Sequence, residues 1–250
     1  MNNFKNYSAY YNLFYANKDY EKEASYINQL IKTHHPKAKN ILNLGCGTGK
    51  HDIELAKLGY YIMGVDLSKE MITIAKAENP DTAKIKFKEA DVRTLRLNKK
   101  YDVVVALFHV MSYQTTNEDL FAIFETAKVH LNKGGIFIFD CWYGPGVLSD
   151  PPVSRIRRLQ NANVEILRLA EPVQYYDKNI VDVNYEIRVK DKKNLTEEII
   201  NETHTIRYLF LPEITIFSKG FIMLNNYTWL TTNTPKNDWY IVSILQKMDK

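Results

Sequence analysis

The sequence predicts an α/β protein that combines a mainly parallel sheet with a separate antiparallel sheet. Apolar segments at 40–44 and 61–66 are separated by a helical pattern, as in parallel strands joined by crossover helices. The segment 101–108 is almost continuously apolar, which indicates a central strand covered on both faces. Residues 181–190 alternate strictly between apolar and polar types, which is typical of an antiparallel strand with one wet face.

The composition favours one α/β domain with an insertion. Of the 250 residues, 45% are hydrophobic and 25% are charged, and the net charge of +4 is spread over mixed Lys and Glu. Two basic stretches, at 155–158 and 190–193, lack interleaved aromatic residues, so we expect no nucleic-acid partner. Two cysteines cannot build a disulfide framework, and no apolar run is long enough for a signal core or a bilayer span. We therefore expect a cytoplasmic protein without a membrane partner or a metal site.

A glycine-rich turn follows the first strand. Gly45, Gly47 and Gly49 let the backbone turn sharply and leave space for a ligand across the main chain. Asp66 ends the second strand, where an acid can accept hydrogen bonds from both hydroxyls of a ribose. Lys50 stands where a dinucleotide fingerprint would have its third glycine, which disfavours a dinucleotide-dependent oxidoreductase. An adenosine-bearing cofactor of another kind is the first expectation.

The turn from Asn43 to Gly49, with Asp66 after the second strand, resembles the first motif of the class I S-adenosylmethionine-dependent methyltransferases. Asp91 matches the acid that ends the family's third strand near the adenine amino group. The resemblance implies a Rossmann-like seven-stranded methyltransferase sheet with an inserted antiparallel β-sheet, and S-adenosylmethionine as cofactor. Asn43 departs from the pattern, because the family usually has Asp or Glu there, next to the amino group of the cofactor's methionine end.

Short segments resemble the amino-deoxysugar N-methyltransferases in particular. The stretches 11–15 and 18–20 are similar to the opening of that subfamily, which implies a place for Tyr11 at the methyl-transfer site and for Tyr20 on the cofactor. Residues 140–145 and the segment 204–210 match it further. The resemblance implies a small-molecule acceptor, an amine or hydroxyl of a nucleotide-linked sugar or related metabolite.

The candidate site residues follow from strand ends and from this resemblance. His109 and Tyr113 follow the fourth strand, and ligands of open α/β sheets lie beyond the carboxyl ends of strands. His204 lies on the apolar face of its strand, as a buried structural histidine or as a substrate contact. The catalytic candidates are Tyr11, His109, Tyr113 and His204. The cofactor-binding candidates are Tyr15, Tyr20, Asn43, Gly45, Cys46, Gly47, Asp66, Leu67, Met71, Asp91, Val92, Leu107 and Phe108.

We expect three regions in a monomer or homodimer. Residues 1–36 form an N-terminal helical lid, and residues 37–150 with 211–250 form the cofactor-binding domain. Residues 151–210 form an antiparallel insertion over the active site, with strands at 181–190 and 200–210 and a third at 164–169. The basic stretch 155–158 is either a solvated turn or a contact for substrate phosphates. The alternative to a methyltransferase is a scaffold of the same fold that binds cofactor without catalysis.

Overall fold

The computed structural model describes residues 8–79 and 83–248 as two β-sheets with helices packed around the first. The first seven residues of the predicted lid lie outside this description. The helices are α1 (Ser8–Phe14), α2 (Tyr20–His34), α3 (Lys50–Lys57), α4 (Lys69–Glu78), α5 (Asn117–His130), α6 (Gly144–Ser149) and α7 (Leu211–Phe217). The strands are β1 (Asn40–Leu44), β2 (Tyr61–Asp66), β3 (Ile85–Glu89), β4 (Tyr101–Ala106), β5 (Leu131–Trp142), β6 (Arg155–Gln160), β7 (Val164–Tyr175), β8 (Ile180–Asp191), β9 (Glu197–Arg207), β10 (Phe221–Thr228) and β11 (Tyr240–Lys247).

The first sheet has seven strands in the order β10-β11-β5-β4-β1-β2-β3. Strands β1 to β5 pair in parallel, whereas β11 is antiparallel to β5 and β10 is antiparallel to β11. The chain leaves β1 towards β2 and β3 and later returns to β4 on the other side. The order therefore reverses between β1 and β4, where such sheets bind ligands. The predicted fold class is confirmed.

Neighbouring residues of the central strands face opposite layers of core. Leu42, Val104 and Phe137 pack with α5 and α7 on one face, whereas Ile41 and Val103 pack with α2 and α3 on the other. All five side chains are completely buried. Burial on both faces explains why these strands are almost continuously apolar in the sequence.

The second sheet has four antiparallel strands in the order β6-β7-β8-β9. The three strands predicted at 164–169, 181–190 and 200–210 are present. β7 and β8 are longer than expected, whereas β9 has the expected length but begins and ends three residues earlier. The basic stretch 155–158, considered a turn, instead belongs to the edge strand β6, which pairs with β7 from Arg155 to Gln160. Helix α1 packs on this sheet through the buried Phe14, which contacts the cluster around Ile187.

Side-chain hydrogen bonds cap the N-termini of helices α4 and α5. Ser68 precedes an apolar helical pattern in the sequence, which predicts it as the cap of α4. The prediction is confirmed, because the Ser68 hydroxyl accepts a hydrogen bond from the amide of Met71 at 3.1 Å. The same reasoning predicts Asn117 as the cap of α5, and this prediction is wrong. Thr116 caps this helix and accepts from the amide of Asp119 at 3.1 Å, which makes Asn117 the first helical residue.

Within residues 8–79 and 83–248, no helix has both the length and the apolar content that a membrane crossing requires.

Candidate functional site

The glycine turn and the end of β2 are joined by hydrogen bonds through Asp66. Its carboxylate accepts from the amide of Gly47 at 2.8 Å and from the amide of Ser68 at 2.9 Å. The amides of Gly45 and Cys46 donate to the carbonyl of Val65, also at the end of β2. Burial raises the pKa of Asp66, and the two amides oppose this shift by stabilising the carboxylate. The bonds fix the turn and the carboxylate in one rigid unit.

A groove of about 410 Å³ opens beside this unit, at the reversal of strand order. Gly45, Asp66, Leu67, Asp91 and Val92 line it. We call it the switch-point groove. It has the position expected for the adenosine part of a nucleotide-like ligand.

Asp91 already has a strong partner within the groove. Arg93 donates from Nε to one oxygen of Asp91 at 2.9 Å and from Nη2 to the other at 2.6 Å, and its Nη1 reaches Asp119 at 2.9 Å. The hydrogen bond from Arg93 is the main cause that lowers the pKa of Asp91. Arg93 was not a candidate in the sequence analysis. It fixes the orientation of Asp91, which was a candidate.

A smaller cavity of about 60 Å³ continues from the groove on the other side of the turn. Gly45 and Asp66 line both cavities. The remaining walls come from Tyr11, Tyr20, Cys46, Gly47, Thr48, Lys50, His51, Met71, Leu107, Phe108 and Val110. We call this space the turn pocket.

A third cavity, of about 600 Å³, lies between the first sheet, α1 and the second sheet. We call it the aromatic chamber. Tyr11 and Phe108 line both the chamber and the turn pocket. The rest of its aromatic lining is Tyr15, His109, Tyr113, Trp142, Tyr185, His204, Trp239 and Tyr240. The chamber therefore begins where the turn pocket ends.

The backbone after β4 is strained at the junction of these cavities. Phe108 and His109 have φ angles of 64° and 67°, in the left-handed region that non-glycine residues avoid. Each residue costs about 1–2 kcal/mol in this conformation. His109 stacks on Tyr240 with ring centroids 4.6 Å apart, and its Nδ1 lies 2.6 Å from the buried carboxylate of Asp140. These contacts hold His109 in its strained conformation, and both side chains line the chamber.

The helical turn after β4 and strand β9 of the second sheet together supply a hydrogen-bonded chain of polar side chains. The hydroxyl of Tyr113 lies 2.9 Å from Nδ1 of His204, and Nε2 of the same imidazole lies 3.2 Å from a carboxylate oxygen of Glu202. His204 is 4% exposed. Burial, followed by the nearby Tyr15, Tyr185 and Glu202, raises the pKa of Tyr113 well above its ordinary value. The phenol therefore stays protonated, and its hydroxyl can donate to Nδ1 of the imidazole in the tautomer that carries its proton on Nε2.

Helix α1 connects the chamber with the glycine turn. Asn12 accepts a hydrogen bond from the hydroxyl of Thr48 at 2.9 Å, while Tyr15 meets Phe108 edge-to-face at 5.0 Å between centroids. Lys18, just after α1, lies 4.2 Å from the centroid of the same Phe108 ring and pairs with Glu23. Residues 10–15 are rich in aromatic side chains in the sequence. The structure adds the polar contacts of Asn12 and Lys18, which orient this segment.

All four catalytic candidates, Tyr11, His109, Tyr113 and His204, line the aromatic chamber. Most cofactor-binding candidates line the groove or the turn pocket. Tyr15 is different, since it lines the chamber instead. Asn43 is also different: it is 1% exposed and lies beneath the turn, where its amide nitrogen donates to Asp52 at 2.8 Å. Asn43 thus contacts a buried acid and does not line the groove or the turn pocket, and its contact with a ligand stays a prediction.

Several site residues gave no usable signal in the sequence. Asp52 looks like an ordinary acid in the first turn of a helix, where it would complement the helix dipole in water. Arg168 lies between two leucines, so the polarity pattern alone would assign it to the wet face of β7. Tyr185 falls on the apolar side of the alternation in β8, but the alternation does not show that this side lines the chamber. Trp239 and Tyr240 enter it only because β11 pairs with the far end of β5, which is a long-range property of the sheet.

Comparisons with known proteins agree with this arrangement. A family model described as a methyltransferase domain matches residues 41–135. The dTDP-3-amino-3,4,6-trideoxy-alpha-D-glucopyranose N,N-dimethyltransferase of Streptomyces venezuelae is 35% identical over 146 residues, which are 58% of this chain and 60% of that protein. The chain spans about half to 60% of the length of the curated relatives that it matches first.

Solved structures resemble the chain over nearly its whole length. An S-adenosylmethionine-dependent methyltransferase from Clostridium acetobutylicum superposes with a TM-score of 0.81 and 21% identity, covering 96% of this chain and 97% of that one. The sugar N-methyltransferase KedS8 from Streptoalloteichus has a TM-score of 0.81 and 19% identity, with 96% and 93% covered. The fold is therefore that of the S-adenosylmethionine-dependent methyltransferases, as the resemblance implied.

We predict that alanine substitutions at Gly45 and Gly47 have unequal effects on stability. Both glycines have positive φ, at 75° and 55°, so each substitution costs about 1 kcal/mol of backbone strain. A Cβ at Gly45 would also lie 2.4 Å from a methyl of Val110, whereas a Cβ at Gly47 meets nothing within 4 Å. Gly45→Ala should therefore lose roughly 1–3 kcal/mol more than Gly47→Ala. Urea unfolding of both variants measures the difference, and equal losses would contradict this account of the turn.

Proposed function

We propose that this chain, whose residues 41–135 form a methyltransferase domain, transfers a methyl group from S-adenosylmethionine to the amine of a nucleotide-linked sugar. One observation carries the proposal. Tyr11 and Phe108 line both the turn pocket and the aromatic chamber, so the two spaces meet at these rings. A methyl group delivered at that junction would face an acceptor bound in the chamber.

The groove and the turn pocket fit the proposed cofactor. A Cβ at Gly47 would project into open space, so this glycine leaves free backbone against which a ribose can lie. Asp66 retains free acceptor capacity beyond its two amide bonds, which suits a pair of ribose hydroxyls. Tyr11, Tyr20 and Phe108 offer aromatic surface to a cation in the turn pocket. The bound cofactor would supply an electrophilic methyl group on a sulfonium.

The acceptor side of the proposal depends on the aromatic chamber and its two arginines. Arg155 and Arg168 line the chamber together with Trp239 and Tyr240. Guanidinium groups bind phosphate with paired hydrogen bonds, and aromatic rings stack on bases and sugars. The basic stretch 155–158 contains three arginines, and of these Arg155 fits the role of a phosphate contact, because it lines the chamber. Arg158 lines a separate groove on the second sheet.

The chamber also contains a route for the proton that an amine must lose. An acceptor amine is protonated near neutral pH, and its lone pair is free for in-line attack only after deprotonation. Tyr113 can accept a hydrogen bond from the amine while it donates to His204, which takes up the proton at Nδ1. Glu202, 3.2 Å from Nε2, would stabilise the resulting imidazolium. Tyr113 and His204 are therefore the proposed catalytic pair, with Glu202 as the residue that orients the imidazole.

The proposal also gives a role to the regions expected from the sequence, since the N-terminal helices and the insertion would enclose the site. Helices α1 and α2 would cover the turn pocket, because α1 reaches Thr48 through Asn12 and Phe108 through Tyr15. The insertion 151–210 would form the roof of the aromatic chamber through the second sheet. A site enclosed on both sides excludes water, which would otherwise solvate the attacking amine.

The proposed function is tested by a transfer assay with S-adenosylmethionine labelled in its methyl group. Nucleotide-linked amino sugars should accept label, and matched sugars with a hydroxyl in place of the amine should not. Label in the hydroxyl sugars alone would replace the N-methyltransferase with an O-methyltransferase. Cofactor binding without transfer to any acceptor would favour a non-catalytic scaffold.

We predict that Asp66→Ala weakens S-adenosylmethionine binding by about 1.5–3 kcal/mol, because hydrogen bonds to a charged carboxylate are lost. Titration calorimetry measures the affinity. Asp177→Ala is the control, since Asp177 is an exposed acid in the turn between β7 and β8. Equal affinity in the Asp66 variant and the control would contradict the proposed position of the ribose.

A second prediction concerns the pH dependence of the reaction. In His204→Gln the side chain still accepts a hydrogen bond but cannot take up a proton, so kcat near pH 7 should fall about 100-fold. The loss should shrink as pH rises towards the pKa of the acceptor, because the free amine then needs no base. Cofactor affinity should not change. His35→Gln, at the C-terminal end of α2, is the control, and a loss in His204→Gln that is the same at every pH would indicate a purely structural role.

A further inference from the structure

A buried acid beneath the glycine turn has no role in the reaction described so far. Asp52 lies on α3 and is completely buried. No ion pair joins it to a cation in residues 10–79 and 83–248. Its neighbours Lys50 and His51 are engaged elsewhere, with Glu78 at 2.6 Å and Glu23 at 2.6 Å. A buried carboxylate without a cation is costly when charged and needs an explanation.

The contacts of Asp52 form an incomplete hydrogen-bonded pair. Asn43 donates from Nδ2 to Oδ1 of Asp52 at 2.8 Å. Two oxygen atoms of this pair, Oδ1 of Asn43 and Oδ2 of Asp52, are buried and have no hydrogen-bond partner. A Cβ at Gly64 would lie 2.9 Å from Oδ2 of Asp52 and 3.0 Å from Cβ of Cys46, so this glycine provides the space for the pair next to Cys46.

The surroundings of Asp52 hold the pKa of its carboxyl group near neutral pH. Burial raises its pKa to about 7, and the charge of Asp66 adds to the shift while the hydrogen bond from Asn43 opposes it. Since the pKa is raised in the folded protein, the unfolded chain releases this proton first, and Asp52 makes folding less favourable as the pH rises towards 7. The other titratable groups near it are Cys46, Asp66, His51 with its partner Glu23, and Lys50 with its partner Glu78.

The charges of the turn pocket lack a counterpart for one group of the proposed cofactor. The methionine end carries a carboxylate and an ammonium. Lys50 lines the pocket and offers a cation to the carboxylate in addition to its partner Glu78. Asp66 is the only acid among the described residues that line it, and its oxygens already accept from two amides and face the proposed ribose. Asp52 and Asn43 lie directly below, separated from the pocket by Cys46 and the turn.

We propose that Asp52 and Asn43 together supply the buried negative charge that balances the cofactor's ammonium, and that binding of the methionine end drives a proton off Asp52. Asp52 acts across Cys46 and the turn, so it is a positioning residue and not a catalytic one. The carboxylate that the resemblance would locate at position 43 is thus provided by its hydrogen-bonded neighbour at position 52. This inference rests on the proposed cofactor.

The test counts protons released on binding. Wild-type protein is titrated at pH 7 with S-adenosylmethionine and with methylthioadenosine, in two buffers of different ionisation enthalpy. Methylthioadenosine keeps the adenosine but lacks the ammonium, the carboxylate and the sulfonium charge. S-adenosylmethionine should release roughly half a proton more than methylthioadenosine. The ribose contact of Asp66 is common to both ligands, and the Asp52 variant separates Asp52 from the other charge differences.

Two variants assign the proton to Asp52. In Asp52→Asn the excess release should vanish, and affinity for S-adenosylmethionine at pH 8 should fall about tenfold while affinity for methylthioadenosine stays unchanged. The exchange variant Asn43→Asp/Asp52→Asn restores one carboxylate and one amide to the pair, and it should recover both the excess proton and the affinity. Thermal unfolding checks that each variant is folded.

The outcomes separate this inference from the proposed function. An unchanged proton count in Asp52→Asn, or an equal loss of affinity for both ligands, overturns the role of Asp52 and leaves the methyltransferase intact. Absence of excess release in a wild-type protein that binds S-adenosylmethionine does the same. Failure of wild-type protein to bind S-adenosylmethionine overturns both.

Discussion

The site depends on the carboxylate of Asp66. It accepts hydrogen bonds from Gly47 in the turn after β1 and from Ser68 at the start of α4, so one side chain fixes two loops against the end of β2. The turn cannot move without breaking a charged hydrogen bond inside a largely buried environment, where such bonds are strongest. Both the switch-point groove and the turn pocket take their walls from this unit. Their shapes are therefore set before any ligand arrives.

Strain at the end of β4 complements this rigid unit. Phe108 and His109 adopt left-handed backbone conformations. The stacked Tyr240 and the carboxylate of Asp140 hold His109, and Tyr15 packs on the Phe108 ring. Such strain persists only where surrounding contacts outweigh it. Here it brings Phe108 to the junction of the turn pocket and the aromatic chamber, and His109 into the chamber. An unstrained strand end would alternate their directions and leave one of them in the core.

The sequence predicted the parts that depend on local pattern. The glycine turn, the acid after β2 and the cap at Ser68 are encoded within a few residues, and the continuous apolar strands identify the parallel sheet. The strand β6 was missed because three arginines within four residues are typical of a solvated turn, and only the pairing with β7 makes this segment a strand. The contact between Asn43 and Asp52 was also missed, since it joins a strand to a helix that faces it across the turn. Pairings of this kind depend on tertiary packing, which periodicity does not encode.

Helix α1 links the two halves of the site in one short element. Its buried Phe14 packs on the second sheet, its Asn12 accepts a hydrogen bond from Thr48 in the glycine turn, and Tyr15, which follows the helix directly, packs on Phe108. A helix of seven residues is not stable by itself, so its position depends on these contacts. Because both cavities use Tyr11 as a wall, neither is complete until α1 is docked. A ligand in the turn pocket that contacts Tyr11 therefore stabilises the same docked state that forms the aromatic chamber, which couples the two binding events without any movement of the sheet.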